Sequence, residues 1–582
     1  MINITINGKA LEVEPGTTIL KAAEMVNIKI PTLCYNPDLP PWASCGLCIV
    51  RMAGSAKMVR ACITACEPNM NIITHDSEII SVRRTVLELI LSNHPDDCLQ
   101  CPRNQSCELQ DLAAEFGIRQ APFKKVKNDL PVDDSNPAIV LCPEKCIRCG
   151  RCVKVCQEVQ NVWALEFLGR GIKGKIASAA DAPLGESPCI KCGQCAAHCP
   201  VGAIYERDDT VKVWNALQDP QKHPVVQIAP AVRVALAEEF GLEPGTVFTR
   251  KIYAALRRLG FKTVFDTNFS ADLTIMEEGS ELVKRLTEKG TIPLITSCCP
   301  SWVDYMEKYY SDMIPNFSTA KSPQQMMGAM IKAYWAGKAQ VDPDKVYSVS
   351  VMPCTAKKWE TRRNDDMKSA GHGYDVDIVI TTRELARMIK QAGIEILKLD
   401  DEEADSPLGP YTGAGTIFGV TGGVMEAAVR SAYYLVTKKE LPDVNFKPAR
   451  GLEGVKEGEV DFGNGTKIRI AVAHQMGNIA AVLDKIRAAK EAGQEPPYHF
   501  VEVMACRGGC IAGGGQPYGC TDEIRKKRTS GIYTDDEKSQ YRCSHLNPFI
   551  TQVYDEFLGE PGGHKAHQLL HTKYVELPLY TK

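Results

Sequence analysis

The chain has 582 residues, room for roughly three to five domains. It is 44% hydrophobic and 24% charged, and 68 Lys and Arg nearly balance 71 Asp and Glu; with no basic tract, this argues against a nucleic-acid partner. No apolar run reaches the roughly 18 residues a membrane span needs, and the opening Met-Ile-Asn-Ile-Thr-Ile alternates like a strand rather than a signal peptide, so a cytoplasmic protein with no membrane partner is expected.

Twenty-four cysteines, in a chain too large to need disulfide staples, point to metal in a reducing compartment. Seventeen lie between Cys34 and Cys199, and seven in the remaining 383 residues. An array of small modules is expected first, then a larger domain with few thiols.

In chain order, Ile2-Thr-Ile, Gly8 and Leu11-Glu-Val-Glu-Pro-Gly predict a hairpin, and Thr18 opens a short helix. Cys34, Cys45, Cys48 and Cys62 follow as C-x10-C-x2-C-x13-C. This keeps the tight central pair of plant-type ferredoxins, which hold [2Fe–2S], but lengthens the first gap. Four thiolates also suit structural zinc, which stays open on spacing alone. Cys66 is left over as a buried thiol. His94, Cys98, Cys101 and Cys107 then form H-x3-C-x2-C-x5-C, a mixed donor set that fits an iron–sulfur cluster or zinc.

The strongest spacing comes next. Cys146, Cys149, Cys152 and Cys156 form C-x2-C-x2-C-x3-C, repeated as Cys189, Cys192, Cys195 and Cys199 before Pro200. In this bacterial two-[4Fe–4S] pattern the fourth cysteine of each run ligates the other cluster. One cluster is expected on Cys146, Cys149, Cys152 and Cys199, the other on Cys189, Cys192, Cys195 and Cys156. The first run is followed by Gln157 instead of proline. Cys142 reads as a bystander, with a shifted register as the alternative. Clusters in series serve electron transfer.

From about residue 215 apolar runs alternate with helical stretches. Buried strands are expected at Val225–Pro230, 292–296, Tyr347–Met352, Val376–Ile380 and Ile468–Ala473, with amphipathic segments such as Gly279-Ser-Glu-Leu-Val-Lys-Arg-Leu between them. That alternation predicts an α/β domain with largely parallel sheets. Cys298-Cys299-Pro300, Cys354 and Cys506 each close a strand, and sites in open α/β sheets form beyond the carboxyl ends of strands. Cys510 follows across Arg507-Gly-Gly, with Gly513-Gly-Gly-Gln beyond it, glycines that let backbone approach a bulky inorganic group. The plain alternative is scattered core cysteines.

Thr296-Ser-Cys-Cys-Pro-Ser-Trp302, Met352-Pro-Cys-Thr-Ala-Lys-Lys358, Phe418-Gly-Val-Thr-Gly-Gly-Val-Met-Glu-Ala427 and Met504-Ala-Cys-Arg-Gly-Gly-Cys-Ile-Ala-Gly-Gly-Gly-Gln516 closely resemble the signature segments of [FeFe]-hydrogenases. The resemblance covers nearly the whole chain. It implies an H-cluster, a [4Fe–4S] cubane joined to a diiron subsite with CO, cyanide and a bridging dithiolate amine. Cys299, Cys354, Cys506 and Cys510 would hold the cubane, with Cys510 bridging to the diiron unit. Lys357 would hydrogen-bond a cyanide, and Met352 and Met504 would pack around the subsite. Cys298 would be the first proton acceptor, with Glu278, Ser318, Glu281 and Arg285 leading to the surface. Glu278, Glu281 and Arg285 fall at i, i+3 and i+7, one helical face, which without the resemblance reads as a solvated charged face. Arg507 stands where proline is commoner, and Ala231 replaces a frequent serine.

The implied architecture is multidomain α+β and α/β. It comprises a [2Fe–2S] plant-type ferredoxin domain (1–80), a His/Cys-ligated [4Fe–4S] module (81–125), a bacterial 2[4Fe–4S] ferredoxin domain (137–212), and an iron-only hydrogenase domain with a small-subunit-like tail (215–582). This makes one [2Fe–2S] cluster, three accessory [4Fe–4S] clusters and the H-cluster. Cys520 and Cys543 remain, with His545 two residues after the latter; they read as buried thiols, a further metal site being the alternative. His564, His567 and His571 share a helical face and read as tail-docking residues.

No G-x-G-x-x-G follows a strand, and no Walker A run is present, so no nucleotide or flavin site is visible. The N-terminal module set resembles the iron–sulfur arm of NADH dehydrogenases. The chain therefore looks most like the catalytic subunit of a multimeric, NAD(P)-linked hydrogenase, with electron-bifurcating and non-bifurcating types both left open. It would turn over molecular hydrogen with a flavin- and NAD(P)-binding Fe–S subunit, a small Fe–S subunit and ferredoxin as partners. A standalone ferredoxin-dependent hydrogenase and a non-turnover hydrogen sensor are the alternatives. Intact Cys298, Cys510, Lys357 and the glutamates weigh against the sensor.

Overall fold

A computed structural model describes residues 1–125, 130–462 and 467–581. Residues 463–466 and Lys582, which fall in the expected 215–582 domain, lie outside the described residues.

The expected hairpin opens the chain. Ile2–Ile6 pairs antiparallel with Lys9–Val13, turning at Asn7 (φ 49°) and Gly8 (φ 82°). Thr18 caps the helix Ile19–Met25. Three short strands the sequence reading does not anticipate (Ile49–Met52, Met58–Arg60 and Asn71–Ile73) complete a five-stranded sheet. Asn71–Ile73 runs parallel to the first strand and buries Ile72 with Ile4, Ile6, Val13 and Ile19. The Asp76-capped helix Ser77–Ser92 leads to the His/Cys loop, closed by the helix Glu108–Glu115. In the two-run cysteine region, Ile139–Leu141 pairs with Ile204–Glu206 across the module, so the ends of the segment meet. The short helices Arg151–Lys154 and Gln194–His198 begin at matching places in the two runs, each after a left-handed glycine, Gly150 and Gly193.

The C-terminal half is built on two four-stranded sheets. In the first, His223–Ile228 and Val346–Met352 lie at the centre, flanked by Thr263–Asp266 and Ile378–Thr381, all parallel. In the second, Leu294–Ile295, Phe500–Met504 and Lys467–His474 run parallel. Val455–Asp461 closes that edge antiparallel. The expected strands are present, although the one near 292–296 shrinks to two residues. Thr263–Asp266 and Val455–Asp461 were not expected; the latter reads Val-Lys-Glu-Gly-Glu-Val-Asp, too charged to signal a buried strand.

Asp266 ends a strand and caps the helix Thr267–Thr287. Its carboxylate takes two bonds from Arg233 at 2.9 and 2.8 Å, and both side chains are fully buried. Removing one partner of such a pair strands a buried charge, at about 3–5 kcal/mol. The pair thus anchors the start of the helix, which carries Glu278 on its buried side and Glu281 and Arg285 toward its outer end. No helix among the described residues is long and apolar enough to cross a membrane.

Candidate functional site

The first N-terminal donor set gathers in one place. Cys34 Sγ lies 3.4 Å from Cys45 Sγ, and Cys48 Sγ lies 3.3 Å from Cys62 Sγ, two close pairs that suit two donors on each of two irons. In the next module His94 Nδ1 donates to the Pro95 carbonyl at 2.9 Å, which leaves Nε2 deprotonated and buried without a partner. An imidazole held this way presents a bare nitrogen to a metal. Burial lowers its pKa and keeps it neutral. Cys98 is exposed, Cys101 half-buried and Cys107 buried. Gly202 faces Cys101; a Cβ there would sit 2.4 Å from Sγ.

The two-run region folds into two cavities. One is lined by Cys146, Cys149, Cys152 and Cys199, the other by Cys156, Cys189, Cys192 and Cys195. The fourth cysteine of each run therefore crosses to the other set, the exchange its spacing suggests. Burial pushes Cys146 up to about 11 and Cys156 up to about 12. Dry, mutually repelling thiols of this kind suit a cationic iron–sulfur core that draws off their protons. Cys142 stays outside the first cavity's lining.

The modules meet at defined bonds. Ser44 donates to the Cys149 carbonyl at 3.2 Å, joining the first module to the first cavity. Arg151 ties three pieces together, donating to the Tyr35 carbonyl at 2.8 Å and to Glu108 at 2.6 and 2.8 Å. Both outer modules therefore abut the first cavity. The second cavity abuts the C-terminal half: Thr355 Oγ1 donates to the Lys191 carbonyl at 2.7 Å, and Gln194 Nε2 lies 3.2 Å from Cys506 Sγ.

At that junction Cys299, Cys354, Cys506 and Cys510 converge from loops after three strands, although they span positions 299 to 510. Burial, then the neighbouring Cys299, pushes Cys354 up to about 12. Burial, then Cys354, Cys299 and Cys510, raises Cys506. Glycines make room for the approach. A Cβ on Gly513 would fall 2.2 Å from the Pro353 carbonyl, and one on Gly514 would fall 2.5 Å from the Cys192 carbonyl. The donors fit a sulfur-ligated iron cluster, soft ligands in a dry pocket beside another such pocket. Met352 and Met504, each two residues before a pocket cysteine, are both buried.

Lys357 Nζ donates to the Cys298 carbonyl at 3.1 Å and to Glu360 at 3.1 and 2.9 Å. Burial works against its charge, but Glu360, with Cys298 and Cys354, raises its pKa overall. Glu360 also accepts from Ser322 at 2.8 Å and Gln324 at 3.0 Å. Beside this pocket Cys298 is raised by burial and then by Glu278. The Glu278 carboxyl is buried with neither oxygen hydrogen-bonded, and burial, outweighing the nearby Ser318 hydroxyl, pushes it up to about 8. Outward, Ser318 Oγ donates to Glu281 Oε2 at 3.3 Å, and Glu281 accepts from Arg285 at 2.6 Å. Arg285 is held by the Thr291, Pro315 and Phe317 carbonyls. Cys298, Glu278, Ser318, Glu281 and Arg285 thus form one buried-to-surface row.

Sequence reasoning misses Glu360, Ser322, Gln324 and Gln194. Glu360 had a signal, three residues after Lys357 on one helix; Gln194 had none, since only the packing of the two halves brings it to Cys506. The two departures have visible roles. Arg507 makes a bidentate pair with Asp522 at 2.9 and 2.7 Å, tying the pocket loop to the tail. Ala231 offers only its carbonyl, to Gln516 Nε2 at 3.0 Å. His571 is buried against Glu277 at 3.0 Å and stacks on the exposed His567, so two of the three tail histidines form a docking contact, while His564 stays exposed.

Residues 222–514 match the family described as iron only hydrogenase large subunit, C-terminal domain, and 522–576 match iron hydrogenase small subunit. Upstream, 1–77 match a 2Fe-2S iron-sulfur cluster binding domain, 83–122 the NADH-ubiquinone oxidoreductase-G iron-sulfur binding region, and 145–203 a 4Fe-4S dicluster domain. The chain is 46% identical to the NADP-reducing hydrogenase subunit HndD of Solidesulfovibrio fructosivorans, over 99% of both chains. It is 41% identical to iron hydrogenase 1 of Clostridium pasteurianum, over 99% of this chain and 100% of that one. Among solved structures, an [FeFe]-hydrogenase variant from Chlamydomonas reinhardtii is similar at 43% identity and TM-score 0.56, covering 64% of this chain and 99% of the other.

Proposed function

The chain belongs to the iron-only hydrogenase family, and on that premise we propose that it is the catalytic subunit of a multimeric, NAD(P)-linked hydrogenase. The protein is an oxidoreductase of molecular hydrogen that carries iron–sulfur clusters in an N-terminal relay. In this reading its four units are 1–80, 81–125, 137–212 and 215–582. They hold one [2Fe–2S] cluster, three accessory [4Fe–4S] clusters and the H-cluster. Cys34, Cys45, Cys48 and Cys62 ligate the first, and His94, Cys98, Cys101 and Cys107 the second. The crossed sets from the two cysteine runs ligate the third and fourth. Cys299, Cys354, Cys506 and Cys510 hold the H-cluster.

The H-cluster, when bound, supplies the centre at which hydrogen is split or formed. The chain's own residues move the proton and shape the pocket. Cys298 holds the proton beside the pocket and exchanges it with Glu278, which is neutral at pH 7 and so able to donate. Ser318 and Glu281 carry it outward, and Arg285 keeps Glu281 oriented. Lys357, anchored by Glu360, places a cation at the pocket wall, and Met352 and Met504 close the pocket to water. Clusters held by the pocket and the two cavities would supply an electron relay, with Gln194 at the junction of the pocket and the second cavity and the two outer modules joined to the first. The exposed Cys98 and the 91% exposed Leu99 beside it mark a surface where a partner can reach a cluster.

The observation that carries the partner reading is the whole-length similarity to a subunit named NADP-reducing, with a module of the NADH-ubiquinone oxidoreductase-G type at 83–122. The partners are a flavin- and NAD(P)-binding Fe–S subunit, a small Fe–S subunit and ferredoxin. The isolated chain is expected to exchange electrons between hydrogen and viologen dyes but to leave NAD and NADP unreduced. Adding the partner subunits restores nucleotide reduction, and deleting residues 1–130 abolishes it while sparing the dye reaction. Nucleotide reduction by the flavin-free single chain would sink the reading.

A further inference from the structure

Besides Cys298, four cysteines lie outside every cluster set: Cys66 and Cys142 among the N-terminal modules, and Cys520 and Cys543 near the tail. Cys520 accepts from Arg528 at 3.6 Å and belongs to no group of three metal-ligating side chains among the described residues. Cys543 is different. Its sulfur, an imidazole nitrogen of His545 and a carboxylate oxygen of Glu440 all lie within 4.8 Å of one another. We propose that Cys543, His545 and Glu440 bind a zinc ion that clips the tail to the hydrogenase domain.

The three donors come from both sides of a junction. Glu440 follows the helix Gly423–Thr437 of the 222–514 region, whereas Cys543 and His545 belong to the 522–576 region. Cys543 caps the single turn Ser544–Leu546, which carries His545. Donor chemistry selects the metal: one thiolate, one imidazole and one carboxylate suit zinc, whose tetrahedral sites accept all three types and leave one place for water. Ligands of tetrahedral zinc sit roughly 3.3–3.8 Å apart at metal–ligand distances near 2.0–2.3 Å. His545 Nε2 already lies 3.1 and 3.3 Å from the two Glu440 oxygens.

The surroundings orient the donors. His545 Nδ1 bonds Ser431 Oγ at 3.1 Å, which aims Nε2 at the other two. Tyr434 stacks flat on the imidazole, centroids 4.3 Å apart and planes 5° apart, and so fixes the ring plane. Such outer contacts accompany metal-binding histidines. Cys543 and His545 are buried, while half of the Glu440 side chain is exposed, so an ion has an open side from which to enter. The nearby guanidiniums do not oppose a cation: Arg430 is paired with Glu426 and Asp536, and Arg542 with Asp536. Binding releases the Cys543 thiol proton to solvent, the neutral His545 imidazole keeps its one ring proton on Nδ1 toward Ser431, and no electron moves.

The test is elemental analysis and zinc K-edge absorption on the iron-loaded full chain, purified from zinc-supplied cells and checked again after added zinc. About one zinc per chain is expected, with a single sulfur and otherwise nitrogen and oxygen ligands. Cys543→Ala and His545→Gln should each weaken zinc binding by about tenfold or more, with iron content and dye-linked turnover unchanged. If those variants fail to fold, Glu440→Gln, at a half-exposed side chain, carries the same expectation. Absence of zinc even after its addition would overturn the proposal. So would a shell of four sulfurs, which places zinc in a cluster site, or full zinc retention in Glu440→Gln.

Discussion

The two halves of the molecule assemble their cysteines in opposite ways. In the N-terminal arm each donor set comes from one segment of at most a few tens of residues, such as Cys34 to Cys62, His94 to Cys107 or the two runs between Cys146 and Cys199. Closing such short loops costs little entropy, and metal binding can drive the local fold. In the C-terminal half Cys299, Cys354, Cys506 and Cys510 meet only because two sheets place the ends of three strands against one another. The arm's ligand sets are therefore local although its modules share one core, whereas the pocket's set depends on the whole domain.

That contrast can be broken most directly by removing one sulfur on each side. Cys510→Ser is expected to abolish hydrogen turnover, because a hydroxyl is a poor bridge between soft iron centres. Cys34→Ser should lose iron from the first module yet keep dye-linked turnover close to wild type. Hydrogen evolution from reduced dye, with iron counted per chain, checks both; an active Cys510→Ser protein would remove the pocket assignment.

A second substitution sharpens the contrast inside the domain, separating the holding of iron from the moving of protons. Cys298→Ala should slow turnover by roughly 10²–10⁴-fold with iron content unchanged, since a methyl group carries no proton. Cys298→Asp should keep more activity. Iron loss in Cys298→Ala would mean that Cys298, and not Cys299, is the ligand.

The smallest effect is a pH slope. Glu278 is pushed up to about 8 by burial from an ordinary 4.5. Between those values the folded chain holds a proton that the unfolded chain releases, so this group makes stability fall as pH rises through the window and level off above it. Glu278→Gln has no such proton. Its thermal-unfolding stability relative to wild type should climb from about pH 5 to about pH 8 and then flatten. A difference that stays constant across that range would show that Glu278 is ionised in the fold.

How much was legible follows the same division. Spacing alone exposed the cysteine runs and their crossed partners, because three of the four ligands of each set sit on one loop and the repeated interval marks the fourth. The Ile2–Ile6 hairpin and the parallel strands were legible for a related reason, since alternation and apolar runs mirror which face is buried. The short strands Met58–Arg60 and Thr263–Asp266 were not, being too brief to carry a period.

What the sequence determined by itself was thus the inventory: which thiols belong to local sets, which strand ends carry cysteine, and which family's signature segments are present. Only the tertiary structure decided adjacency. It put Gln194 beside Cys506, Glu360 against Ser322 and Gln324, and Ser318 against Glu281, and it brought Glu440 to Cys543 and His545 from another part of the chain. These contacts join residues tens to hundreds of positions apart, or depend on which face of a helix is buried. No local pattern encodes them, because they arise from how whole sheets and helices pack.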